Sequence, residues 1–145
     1  MPRVDFYVLA TTAPMARERY ACRLVEKAVG QGHTVFVRTA SIDDARALDT
    51  LMWTFSDRSF LPHELLVESS GVAPSGRAPV LIGTGNAPAA HRELLVNLGG
   101  DTAPDAAEFA RIAEIVDEDP ERRRLARLRF KQYRETGCEL MTHTL

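Results

Sequence analysis

Seven cations stand between Arg122 and Arg134, in RRRLARLRFKQYR, with no acid among them. Cationic groups at this density attract a negatively charged partner. The chain carries 18 basic and 20 acidic residues, a net charge of −2, so setting these seven aside leaves 11 basic against 20 acidic. The basic stretch is therefore local. Asp119 suits an N-cap, Pro120 the first helical turn and Gly137 a stop, which predicts one helix over about 120–136. At about 100° per residue, Arg123, Arg127, Phe130 and Arg134 share a sector of about 60°, with Lys131 on its edge. One aromatic inside a basic stripe suits a ligand that is both acidic and apolar, such as a peptide tail whose terminal carboxylate is clamped by Arg. A solvated basic face with Phe130 turned into the core explains the same pattern. Leu125, Ala126 and Tyr133 form a core-facing strip, and Arg129 intrudes on it.

The rest of the chain offers little catalytic chemistry. ATTAPMARE follows the first predicted strand without a glycine, so the tight turn that holds a pyrophosphate is missing. Gly83 and Gly85 make only a lone G-x-G, read as an ordinary turn. No Walker, G-x-S-x-G or H-E-x-x-H pattern occurs. Asp43 and Asp44 sit on a first helical turn, where the helix dipole accounts for them. His33, His63, His91 and His143 are scattered, with no nucleophile or orienting carboxylate at a recognisable spacing. Cys22 and Cys138 cannot alone make a zinc site and read as reduced packing residues. The expectation is no catalytic site, no metal and no cofactor.

A second cluster lies in WTFSDRSFLPH, from Trp53 to His63. Aromatic loops pack over a sheet edge or offer an interface. Core packing is expected for Trp53 and Phe55. Phe60, followed by apolar Leu61 and Pro62, suits an interface as well as burial.

These residues need a scaffold. At 145 residues with 45% hydrophobic content, one globular domain over 1–145 is expected. No apolar run nears the ~18 residues of a membrane span, and the apolar stretch within MPRVDFYVLATT is too short for a secretory signal, so a cytoplasmic protein is expected. Strands are predicted at Val4–Leu9, Thr34–Val37, Glu64–Glu68, Val80–Ile82 and Leu94–Val96. Helices are predicted at Arg17–Val29, from the Ser41/Asp44 capping signal to about Trp53, across 102–116 and over the basic stretch. Ser69–Ala78 reads as a loop. This alternation predicts an α/β, Rossmann-like fold, a parallel-rich sheet covered by helices on both faces.

The opening VDFYVL, LDTLMWTFSDRSFLPHEL, APVLIG and above all LARLRFKQYRETG resemble the chi subunit of bacterial DNA polymerase III over nearly the whole chain. The resemblance implies a Rossmann-like fold without nucleotide binding or enzymatic activity. It also implies two partners: the psi subunit of the clamp loader, and the acidic, hydrophobic C-terminal tail of single-stranded-DNA-binding protein. Carried over by position, the tail would meet Arg123, Arg127, Phe130, Lys131 and Arg134, and psi would meet Trp53, Phe60, Leu61 and Pro62. Arg123 stands where the family can have lysine and Phe130 where it can have tyrosine; the first alters donor geometry and the second keeps the aromatic wall. A helicase-type partner at the same surfaces is left open. The rival reading is direct binding of single-stranded nucleic acid by the basic helix, which the acidic remainder of the chain disfavours.

Overall fold

A computed structural model describes residues 2–56, 60–66 and 77–145. Seven strands are formed by Arg3–Val8 (β1), Val35–Arg38 (β2), His63–Leu65 (β3), Val80–Gly83 (β4), Leu94–Asn97 (β5), Arg111–Val116 (β6) and Glu139–Thr144 (β7). They make one sheet in the order β3-β4-β2-β5-β6-β1-β7, with every neighbouring pair parallel. Among the described residues three α-helices accompany them: α1 (Ala16–Gly30), α2 (Ile42–Thr54) and α3 (Pro120–Glu135). This is the Rossmann-like α/β arrangement that the alternation predicts.

Strand periodicity divides the core into two layers. Val35, Val37, Val80, Ile82, Ala113 and Ile115 face α1 and α2, meeting Cys22, Val25, Leu48 and Met52. Val4, Phe6, Phe36, Leu95, Ile112 and Val116 face the opposite side, where Ala126 and Tyr133 of α3 pack. Successive side chains along a strand point to opposite faces, and each face here carries its own helices.

The termini of α2 and α3 follow their sequence signals. Ser41 Oγ accepts from the Asp44 amide at 3.1 Å, and Asp119 Oδ2 accepts from the Arg122 amide at 2.9 Å. Gly137 ends α3 at φ +86°, where glycine lacks the Cβ penalty of other residues. The position of α3 follows from topology. It leaves β6 and returns at β7, and β1 lies between those strands, so α3 must cross over β1.

Two elements depart from expectation. Across 102–116 the structure has a single 3-10 turn at Ala106–Glu108 and then β6. The spacing of Ala103, Ala106, Ala107, Ala110 and Ala113 imitates the buried face of a helix. Instead Glu114 is fully buried, and the β-branched Ile112, Ile115 and Val116 suit a strand. The second is β7, an edge strand whose polar sequence ELMTHT carries little strand signal. Val67 and Glu68 of the predicted third strand, and residues 69–76 of the predicted loop, lie outside the described residues.

Candidate functional site

The crossing of α3 over β1 creates a groove. Arg123, Ala126, Arg127 and Phe130 form its helical wall, and Phe6, Val8, Val116 and Thr142 form its floor and far side, enclosing about 290 Å³. Phe130 is half-buried, its ring 5.3 Å from that of Phe6 and inclined at 56°. The two readings of Phe130 thus merge: part of the ring completes the core and part lines the groove.

Most cations of the basic stretch already have partners. Arg122 pairs with Asp117 at 3.0 Å, Arg124 with Glu121 at 2.6 Å and Arg129 with Glu114 at 3.1 Å, while Lys131 Nζ lies 3.9 Å from Glu135. Arg123, Arg127 and Arg134 make no ion pair with any described residue, and all three belong to the predicted stripe. Arg123 Nε donates to the Asp117 carbonyl at 3.0 Å, which fixes that side chain at the mouth of the groove. Arg127 and Arg134 are exposed. Lys131 and Arg134 lie outside the groove lining, farther along the same helix. The arrangement is an apolar trough with two guanidinium groups on its wall. It can seat an apolar side chain and hold a carboxylate beside it.

A buried polar network sets which face of α3 meets the sheet. Glu114 Oε1 accepts from Arg129 Nε, and Glu114 Oε2 accepts from Tyr133 Oη at 2.7 Å and from Asn97 Nδ2 at 2.9 Å. Arg129 also donates to the Gly100 carbonyl at 3.1 Å. Burial pushes the Glu114 carboxyl up from its ordinary value, opposed by the Arg129 charge and by the bonds from Asn97, Tyr133 and Arg129. Burial and the Glu114 carboxylate drive the Tyr133 hydroxyl far upward. Arg129, which intrudes on the core strip in the sequence, is the cation that Glu114 requires. Sequence reasoning missed Glu114 because 102–116 reads as a helix, and it missed the groove floor because Phe6 and Val8 come from β1, at the far end of the chain from α3.

The aromatic cluster lies elsewhere, at the end of α2 and the start of β3. Trp53 and Phe60 are 48% and 77% exposed, with ring centroids 5.8 Å apart. Core packing expected for Trp53 does not occur; its ring rests on His63 at 4.1 Å and leaves about half its surface in solvent. Phe55 does pack against the α1/α2 core. Leu61 is buried in the α1/α2 core and presents almost no surface. Pro62 is half-buried, and Asp57, Arg58 and Ser59 lie outside the described residues.

Three histidines have carboxylate neighbours that spacing could not reveal. His33 Nδ1 is 2.8 Å from Glu93, His63 Nε2 is 3.2 Å from Asp49 and His143 Nε2 is 2.9 Å from Asp5. His91 bonds the Ala78 carbonyl at 2.7 Å. These contacts tie loops and strands together. Burial pushes Asp5 up, yet bonds from His143 and Arg111 and the charges of Arg3 and Arg111 outweigh it, holding the carboxyl below its ordinary range. Cys22 is buried, which raises its thiol to about 12, and both cysteines are free. No group of three or more metal-ligating side chains forms among the described residues. No described helix is long and apolar enough to cross a membrane.

Residues 1–141 match the family model "DNA polymerase III chi subunit, HolC". The chain belongs to the DNA polymerase III chi subunit family. It is similar to the DNA polymerase III subunit chi of Pseudomonas aeruginosa, 41% identical over 145 residues, covering 100% of this chain and 98% of that protein. The subunit chi of Escherichia coli K12 is 29% identical over 149 residues, covering 99% of each chain. That of Haemophilus influenzae is 29% identical over 142 residues, covering 97% of this chain and 96% of the relative. The span matched to the chi family contains every groove residue except Thr142, and the whole Trp53–Phe60 patch.

Proposed function

We propose that this chain is a non-catalytic accessory subunit of the DNA polymerase III holoenzyme that ties the clamp loader to single-stranded-DNA-binding protein. Its α3 groove takes the acidic, hydrophobic C-terminal tail of that protein, and its Trp53–Phe60 surface takes psi. The observation that carries the reading is the pair Arg123 and Arg127, without ion-pair partners among the described residues, on the wall of an apolar trough that includes Phe6 and Phe130. A terminal carboxylate suits these donors, and the residue bearing it suits the trough. Arg134 and Lys131 extend the positive field along α3 and accelerate capture of acidic residues farther up the tail.

The mechanism is tethering. One tail binds weakly, but several lined up on coated template raise the local concentration, so the contact persists while each individual bond breaks and reforms. Psi supplies the second attachment through the exposed Trp53 and Phe60 rings, the kind of aromatic surface that dominates interface energetics.

Calorimetric titration with an acidic tail peptide, the same peptide amidated at its C-terminus, and an oligonucleotide tests the reading. The free-acid peptide is expected to bind about 10-fold or more tightly than the amide, since a charge-assisted bond contributes roughly 1.5–3 kcal/mol. Tighter binding of the oligonucleotide would shift the function to direct nucleic-acid binding.

A further inference from the structure

β2 and β5 are neighbours in the sheet, yet the chain leaves them in opposite directions, from β2 through α2 to β3 at one edge and from β5 to β6 toward the other. Open α/β sheets bind ligands outside the carboxyl ends of strands at such a divergence. A cleft of about 220 Å³ lies there, lined by Ala40 just beyond β2 and by Leu98, Gly99 and Gly100 just beyond β5. Arg17 of α1, Asp44 of α2, and Arg122 and Arg129 of α3 complete its polar lining.

The three guanidinium groups differ in what holds them. Arg122 donates to Asp117 at 3.0 Å, and Arg129 donates to Glu114 and to the Gly100 carbonyl at 3.1 Å. Arg17 makes no hydrogen bond with any described residue. Its side chain is only 12% exposed, its Nε is buried without an acceptor, and its one carboxylate neighbour, Glu18, stands at 3.7 Å, beyond hydrogen-bond distance. Burial lowers the Arg17 pKa from its ordinary value; the Glu18 and Asp117 carboxylates oppose this, while Arg122 and Arg129 add to it. A buried cation without an acceptor, beside two like charges, is costly. A bound anion resolves such an unsatisfied group.

The lining also says which anion. Planar N–H forks match the oxygens of a phosphate. The cleft is smaller than the ~300 Å³ at which drug-sized pockets begin, and the turn after β1 lacks the glycines that a pyrophosphate requires, so the ligand is small and carries one phosphate. Asp44, the one acid of the lining and exposed, accepts from a hydroxyl and repels a second anionic group. We propose that this cleft binds the phosphate monoester of a small hydroxylated molecule, of the sugar-phosphate class, with the phosphate on Arg17 and Arg122 and a hydroxyl on Asp44. Arg122 and Arg129 reach the cleft from a different face of α3 than the one bearing Arg123, Arg127 and Phe130, so the site does not depend on the function proposed for the groove.

The test titrates ribose 5-phosphate, inorganic phosphate, ribose and a single-stranded oligonucleotide into the full chain, followed by amide chemical-shift mapping and by melting temperature. Ribose 5-phosphate is expected to shift the amides of Arg17, Ala40, Gly99 and Gly100 and to raise the melting temperature with concentration. Inorganic phosphate gives the same shifts about 10-fold more weakly, and ribose gives none. Arg17→Met is expected to bind ribose 5-phosphate at least about 10-fold more weakly. Without ligand its melting temperature is no lower than that of the wild type, because the change removes a buried charge that has no acceptor. Arg17→Lys keeps the charge without the fork and falls between the two, and Asp44→Ala abolishes the preference for ribose 5-phosphate over inorganic phosphate. Arg17→Met that melts early would make the guanidinium structural and overturn the proposal. Wild-type affinity in that variant, ribose binding as well as its phosphate, shifts confined to other amides, tighter binding of the oligonucleotide at the same amides, or no binding of either phosphate would each overturn it too.

Discussion

Phe130 and Arg127 divide the work of the groove between shape and charge. Phe130 is anchored by Phe6 and lends only part of its ring to a ligand, whereas Arg127 is exposed and unpaired among the described residues. Arg127→Ala and Phe130→Ala are each expected to cost tail-peptide binding ~1–3 kcal/mol, the first by leaving a carboxylate without its donor and the second by removing an apolar wall. Salt separates the two in a titration series. Phe130→Ala keeps every cation and so keeps the wild-type salt dependence, while Arg127→Ala flattens it. A Phe130→Ala protein that binds the peptide like wild type would leave the groove as mere surface relief. At this scale the stripe was legible from helical geometry alone. Which cations are free was not, because the partners of Arg122, Arg124, Arg129 and Lys131 had to be placed in space first. The pairing of Asp5 with His143 across the chain was hidden for the same reason.

Among elements, α3 is the one whose orientation decides the site, and the Glu114 network fixes that orientation. A helix held only by Ala126 and Tyr133 could roll on a smooth apolar face; Arg129 and Tyr133 bonded to one carboxylate on β6 leave it a single rotation. Glu114→Ala is expected to destabilise the fold by ~3–5 kcal/mol, because it strands a buried guanidinium. The double change Glu114→Leu with Arg129→Met is expected to recover much of the loss in urea unfolding, since a buried pair and well-packed apolar residues are often comparable. If the double variant also binds tail peptide like wild type, the network serves stability and not orientation. β6 was read as helical because the alanines from Ala103 to Ala113 repeat at helical spacing, a local pattern that carries no trace of the buried partners of Glu114. The helices around Ser41 and Asp119 were legible because a cap and its first turn are local. The edge strand β7 was not, because its pairing with β1 is fixed by the α3 crossover rather than by its own residues.

On the scale of the whole molecule, the groove and the aromatic patch belong to opposite ends of the sheet order. β3, beside Phe60, is one edge strand, while β1 and β7, beneath α3, are at the other. Four strands in parallel register and two packed layers lie between, with no hinge or second domain described through which one surface would feel the other. Sites that share no partner residue add independently. Phe60→Ala is therefore expected to weaken association with psi by ~1–3 kcal/mol, as for an exposed aromatic anchor, while tail-peptide affinity in the same preparation stays within a few tenths of a kcal/mol of wild type. The melting temperature should barely move, because a ring that is 77% exposed contributes little burial. Conversely, Arg127→Ala should leave psi binding intact, and the pair of changes combined should show the sum of the two single losses. A Phe60→Ala protein that unfolds would place that ring in the core, and one that loses tail binding while folded would mean the two surfaces communicate through the sheet.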